Sequence, residues 1–174
     1  MDVKFVGGSL RHLDGLKSEA LALSVFEDER PLRGAAGLVD WRLCGRLSAL
    51  AVKRRLTGRL GEVVLIPARP RLPFEKLMLF GAGPSSGFDE SAFCERVSQV
   101  LETLTRVRVR GSVMTLPGRS MHRIGAARAI ELFLSVAERH PEHDEVTVIE
   151  DLDAQKEMQP IVERERRRAR ARYA

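Results

Sequence analysis

Two short runs, Val63-Val64-Leu65-Ile66 and Leu77-Met78-Leu79-Phe80, constrain this chain more than anything else in it. Each is apolar at every position and bounded by turn residues. A strand with one wet face would alternate apolar and polar side chains, so the two runs predict strands buried on both faces, at the centre of a sheet. Gly81-Ala82-Gly83-Pro84-Ser85-Ser86-Gly87 follows the second run, and then an amphipathic helix begins. Asp89 is placed to cap it, Phe88 and Phe93 occupy hydrophobic-staple positions, and Phe93, Val97, Val100, Leu101 and Leu104 form one apolar stripe.

The remaining segments read as further strands and helices. Val3 to Val6 predicts a short edge strand, and Ala20 to Phe26 a more buried one. A long helix is predicted from Pro31 to about Val52, with Ala36, Val39, Leu43, Leu47 and Leu50 on one face and Trp41 beside it as a core or subunit-contact residue. Arg106-Val107-Arg108-Val109-Arg110 alternates like a strand with one wet face, continued by Val113 to Leu116. A helix follows over residues 119–140, then a strand at Val146 to Ile149. A charged helix is predicted from about Pro160, a proline suited to a first helical turn. Strands alternating with helices predict a three-layer α/β domain with a mixed, mostly parallel sheet flanked by helices. One domain is expected over residues 1–155, with an Arg-rich C-terminal helix or tail over 156–174.

Composition narrows the function classes. No apolar run reaches the roughly 20 residues of a membrane span, and residues 1–4 carry no signal-peptide core, so a cytoplasmic protein is expected. Cys44 and Cys94 fall in predicted helices far apart and are expected as buried thiols, not as a disulfide or a metal pair. The net charge of +5 is concentrated at one end: residues 163–174 hold six arginines against two glutamates, which is four of the five charges.

At this point the order of motifs resembles a known family. Phe26-Glu27-Asp28, a long helix, Leu56-Thr57-Gly58 with Gly61-Glu62, Leu65-Ile66-Pro67, and Leu77-Met78-Leu79-Phe80-Gly81-Ala82-Gly83 are similar to the N-terminal domain of the cytosolic leucyl aminopeptidases. Val113 to Pro117 and the following helix extend the likeness, which covers roughly residues 20–149. The resemblance implies a macrodomain-like α/β fold that precedes a separate metallopeptidase domain and helps arrange a hexamer. It implies no catalytic or metal-binding residue here. The family's two-metal domain carries an Asn-Thr-Asp-Ala-Glu-Gly motif, whereas this chain stops where that domain would begin and contains no asparagine. The expectation is a noncatalytic, stand-alone relative with no cofactor, acting by self-association or by docking a protein partner; a fragment of a longer enzyme is the other possibility.

Four constellations invite chemistry. Gly81, Ala82, Gly83, Ser85, Ser86 and Gly87 lie between a strand and a helix, where glycines let backbone approach a phosphate, so a nucleotide or ADP-ribose is the alternative ligand. Against it, the third glycine comes one residue late for a dinucleotide fingerprint, Pro84 lacks an N–H, and Asp89 puts negative charge at the helix entry. His140-Pro141-Glu142-His143-Asp144 offers two histidines and carboxylates, but Pro141 breaks the helix that would align them, and a solvated loop is expected. Asp28/Glu29 and Glu150/Asp151 are read as solvated charge at strand ends. Arg164, Arg166, Arg167, Arg168, Arg170 and Arg172 are candidate contacts for an acidic partner or for nucleic-acid phosphates. No aromatic interleaves with them before Tyr173, so base stacking has little support.

Overall fold

A computed structural model describes residues 1–172, with the Arg172 side chain, Tyr173 and Ala174 outside the description. Six strands and six helices follow in the order β1 (Asp2–Val6), α1 (Leu10–Asp14), β2 (Ser18–Val25), α2 (Gly34–Arg42), α3 (Arg46–Val52), β3 (Val63–Pro67), β4 (Phe74–Gly81), α4 (Glu90–Arg106), β5 (Gly111–Met114), α5 (Ala126–Ala137), β6 (Glu145–Ile149) and α6 (Leu152–Arg172). The strands form one sheet in the order β1-β6-β5-β2-β4-β3. Every pairing is parallel except β3 with β4.

The sheet has a core on each face, and the pleat decides which side chains enter which. Ala20 and Ala22 of β2 and Met78 and Phe80 of β4 join the side chains of α4, α5 and α6. Leu21, Leu23 and Val25 of β2 and Leu77 and Leu79 of β4 join Leu13 of α1, with Val39 of α2 and Leu47 of α3. This is the three-layer arrangement, and it explains why β4 is apolar throughout: both of its faces are covered.

The second apolar run does not share that position. β3 is an edge strand, and Val63 and Leu65 remain 39% and 57% exposed. Its Val64 and Ile66 face the covered side, while the odd-numbered positions lie on the other face beyond the reach of the helices. Apolar residue type on both faces hid an alternation in burial.

Three further departures share one cause. The long helix over residues 31–52 is two helices, the 106–110 segment is a helix end and not a strand, and the helix after β5 starts at Ala126, not at 119. At each departure a residue other than glycine takes a left-handed conformation: Cys44 (φ 56°), Arg108 (φ 58°) and His122 (φ 52°). Arg108 shows the logic. Its N–H donates to the Thr105 carbonyl, and the Val109 N–H donates back to the Leu104 carbonyl. This is the Schellman closure that satisfies the last carbonyls of a helix, here completed by Val109 and Leu104 in the same core. The same bonds close α2 through Cys44 and Gly45, and α3 through Arg54 and Arg55. Finally, α6 starts at Leu152, capped by Asp151, which accepts from the Ala154 N–H at 2.8 Å, so Pro160 lies inside the helix. Ala154, Met158, Ile161 and Val162 bury the first half of α6 in the core. The predicted Asp89 cap of α4 is present, with the Ala92 N–H donating to Asp89 Oδ1 at 2.8 Å.

Candidate functional site

Ligands in open α/β sheets gather at the carboxyl ends of the parallel strands. Here the segments after β2, β4 and β5 converge at that end, and hydrogen bonds among them fill the junction. Of the 81–87 loop, the Gly81 N–H donates to the Glu62 carbonyl, Ala82 to Val25 and Gly83 to Gly58, while the Gly83 carbonyl accepts from Glu27. The Ser85 N–H donates to Asp28 Oδ1 at 2.9 Å, and its hydroxyl donates to Asp28 Oδ2 at 2.5 Å. Pro84 has no donor, so only the exposed Ser86 and Gly87 lie outside this network. A phosphate cradle needs free amides pointing at the anion. In this loop the amides of Gly81, Ala82 and Gly83 point at neighbouring backbone and that of Ser85 at the Asp28 carboxylate.

Two glycines explain the close approach. A Cβ on Gly81 would lie 1.9 Å from the Arg59 carbonyl oxygen, and one on Gly58 would lie 2.6 Å from that of Phe26. The 57–59 segment thus crosses directly over the ends of β2 and β4, and the glycines make room for backbone instead of a ligand. Glu62 holds this crossing in place by accepting from the amides of Thr57 at 2.8 Å and Gly58 at 2.7 Å.

Of the strand-end carboxylates, Glu29 and Glu150 are buried and not solvated as expected, whereas Asp28 and Asp151 are exposed. Glu29 is 1% exposed and accepts from the amides of Phe26 and Arg33. Burial pushes its carboxyl above the usual range, against those bonds and one from Ser120. Asp28 is held below the usual range chiefly by the Ser85 hydroxyl, with Arg123 adding to the effect. Arg123 also donates to Ser85 Oγ at 3.1 Å, which ties the segment after β5 into the clasp. Arg30 donates to the carbonyls of Phe26, Glu29, Leu56 and Thr57. Glu150, also buried, pairs with Arg119 through two bonds of 2.7 and 3.1 Å. Every one of these groups is occupied in joining loops. The partners in Asp28–Ser85 and Arg119–Glu150 stand 57 and 31 residues apart, so sequence spacing does not announce them, whereas Glu29 accepts from amides three and four residues away.

Elsewhere, His143 is fully buried, not solvated, and its Nε2 lies 2.9 Å from Ser112 Oγ. Burial lowers its pKa, so the ring is held neutral. A serine beside a histidine invites comparison with a nucleophile and its base, but both are buried beneath the opposite end of the sheet. Among the described residues no group of three or more His, Cys, Asp and Glu side chains is placed to hold a metal ion. Cys44 is exposed rather than buried, Cys94 is half-buried, and Trp41 is 73% exposed and so not a core residue.

The arginines of α6 divide. Arg164 pairs with Glu131 and Glu165, Arg168 pairs with Glu165, and Arg166 pairs with Asp2 while donating to the Val3 carbonyl. Arg167 and Arg170 are exposed, and the Arg172 side chain lies outside the described residues. An open groove of about 450 Å³ runs beside this helix, lined by Met1, Val3, Leu134, Ile161 and Val162 among others. No helix among the described residues is long and apolar enough to cross a membrane.

Comparison with known proteins places this geometry. Solved structures of similar fold include a macrodomain mutant from Oceanobacillus iheyensis (TM-score 0.70, 10% identity, 95% of this chain and 89% of that one). A Trypanosoma brucei macrodomain in complex with ADP-ribose gives a TM-score of 0.70 at 16% identity over 92% of this chain and 68% of that one. A tomato leucine aminopeptidase mutant gives 0.61 at 13% identity, over 91% of this chain but 35% of its own. Among curated relatives, a probable cytosol aminopeptidase of Thermosynechococcus vestitus is 30% identical over 114 residues, which is 64% of this chain and 23% of that protein. The cytosol aminopeptidase of Pseudomonas aeruginosa is 34% identical over 89 residues, or 51% and 18%. The chain therefore spans about a fifth of the length of these relatives. The sequence profile of the cytosol aminopeptidase family N-terminal domain matches residues 22–139, and with the macrodomain-like sheet beneath it the chain belongs to the cytosol aminopeptidase family through that N-terminal domain.

Proposed function

We propose that this chain is a noncatalytic α/β module that acts in the cytoplasm through protein contacts, by self-association or by docking a protein partner. The supporting observation is the closed junction at the ligand end of the sheet: the amides of Gly81, Ala82, Gly83 and Ser85 are bonded within the protein, the last of them to the Asp28 carboxylate. A hydrolase needs a substrate pocket with an activated nucleophile or metal-bound water at that end. The groups available there, Asp28, Glu29, Arg119 and Glu150, are each committed to a loop-joining bond. Incubating the pure protein with a leucine anilide and manganese tests the proposal. No hydrolysis above blank is expected, and turnover that rises with enzyme concentration refutes it.

The macrodomain-like fold is what favours a second reading, a binder of ADP-ribose or a related nucleotide, since one structural neighbour is a macrodomain in complex with ADP-ribose. Fold likeness at this identity is an analogy. The free Arg167 and Arg170 favour a third, contact with an acidic partner surface or with nucleic acid. Phosphate contacts of that kind release counterions, so binding would fall steeply with salt and vanish on removing residues 163–174. A gel shift near physiological ionic strength, where charges are screened beyond about 8 Å, is expected to show only feeble binding.

A further inference from the structure

The two edges of the sheet are treated differently. At β1 one outward carbonyl is occupied from α6, where Arg166 donates to Val3 at 2.8 Å. At β3 no cover is present among the described residues. The Gly81 N–H donates to the Glu62 carbonyl and the Ala68 N–H to that of Glu75, which fixes the even-numbered residues as those bonded to β4. Bonded and non-bonded positions alternate along an antiparallel pair. Val63, Leu65 and Pro67 therefore direct their backbone groups outward, offering two N–H donors and three carbonyls. Only another extended backbone fits such a row, and exposed edges of this kind are templates for strand addition.

The side chains around this edge are apolar. Leu60, Val63 and Leu65 are 56%, 39% and 57% exposed, so three of the eight large hydrophobic residues left exposed on the described surface fall within six positions. No charged residue lies between Val63 and Ala68. That neutrality matters in a chain of net charge +5, because two copies could meet here without placing like charges opposite each other.

We propose that β3 is the seam of a homodimer in which two copies pair their β3 strands antiparallel about a two-fold axis at Leu65. This rests on the self-association branch of the proposed function and names its surface. The register is self-complementary. Leu65 exchanges both hydrogen bonds with Leu65 of the other copy, and the Val63 N–H of each copy meets the Pro67 carbonyl of the other. The one position that lacks a donor, Pro67, falls at the end of the seam. Facing side chains are Leu65 with Leu65 and Val63 with Pro67. Beyond the strand, antiparallel pairing brings the exposed Arg69 of one copy opposite the uncharged Gly61 of the other. An isologous contact joins the two sheets edge to edge and leaves no open edge at β3 to recruit a third copy.

Sedimentation velocity on the full chain, from low to high micromolar concentration, tests this. Wild type is expected to sediment as a dimer, and Leu65→Lys as a monomer with an unchanged far-UV circular dichroism spectrum. In a background carrying Cys44→Ser and Cys94→Ala, Leu65→Cys is expected to form a disulfide-linked dimer under mild oxidation. Directly opposed, hydrogen-bonded residues lie about 5.5 Å apart between Cα atoms, within disulfide reach. Val64→Cys, turned to the other face, is expected not to cross-link. A wild type that stays monomeric throughout overturns the proposal. So does a folded Leu65→Lys that dimerises as wild type does; in that case self-association stands and uses another surface. The aminopeptidase assay is unaffected by these outcomes and judges the noncatalytic module by itself.

Discussion

Replacing Leu79 and Leu65 by alanine, one at a time, separates the two apolar runs that look alike in sequence. They sit in adjacent strands, with Leu79 opposite Val64 and Leu65 opposite Met78. Leu79 is fully buried in the core beneath α2 and α3, and Leu65 is 57% exposed. Leu→Ala removes three carbons, worth roughly 0.8 kcal/mol each when fully buried, or about 2.4 kcal/mol. At Leu79 the close-packed surroundings leave a cavity, which brings the expected loss to about 3 to 5 kcal/mol. At Leu65 less than half of the side chain is withdrawn from water and no cavity forms, so about 1 kcal/mol or less is expected. In a chain of this size the first change lowers the melting temperature by about 10 °C and the second by about 3 °C or less. Urea denaturation followed by far-UV circular dichroism is the suitable assay, since the single tryptophan, Trp41, is mostly exposed and a poor reporter of the core. Measurements in dilute solution keep association out of the comparison. Equal losses at the two positions would refute the placement of β3 at the edge, and a loss below about 1 kcal/mol at Leu79 would refute the doubly covered β4.

Other outcomes follow from individual contacts. Burial holds His143 neutral, so the folded state binds fewer protons than the unfolded one; stability should be full above the ordinary histidine pKa and fall as pH drops below it. Urea midpoints on either side of that value should show the loss in wild type and a smaller one in His143→Gln. Arg108→Gly should raise stability by about 1 kcal/mol, because it removes the cost of a left-handed side-chain-bearing residue while keeping the Schellman closure. A drop in its urea midpoint would mean that the Arg108 side chain contributes more than the backbone costs. Deleting residues 167–174 should leave the midpoint within about 0.5 kcal/mol of wild type. Deleting 163–174 also removes the Arg166 bonds to Asp2 and Val3 and should cost about 1 kcal/mol, since that pair is partly exposed and screened. Equal midpoints for the two truncations would show that Arg166 does not hold β1.

The sequence was informative where chemistry is local. The apolar run of β4, the stripe of α4 and its Asp89 cap are legible because the residues that make them lie within a few positions of one another. The break at Cys44 and the close of α4 at Arg108 were not, since a left-handed residue is ordinarily announced by glycine and at these two positions is not, whereas the helix end at Val52 was legible. The burial of Glu29, Glu150 and His143 was illegible for a different reason. Glu150 and His143 meet groups that the sheet brings near, Arg119 and Ser112, while Glu29 is met by the amides of Phe26 and Arg33 in the turn that follows β2. Sequence could show that Pro84 and Asp89 oppose an anion, but not that the amides of Gly81, Ala82, Gly83 and Ser85 are bonded to Glu62, Val25, Gly58 and Asp28. That occupancy depends on two chain segments meeting at Gly58 and Gly81.

Calorimetric titration of the pure protein with ADP-ribose tests the closed junction most directly. With the amides of Gly81, Ala82, Gly83 and Ser85 bonded inward and Asp28 fixed against Ser85, no heat of binding is predicted. Micromolar affinity that Gly83→Val abolishes would contradict it and make the junction a ligand site.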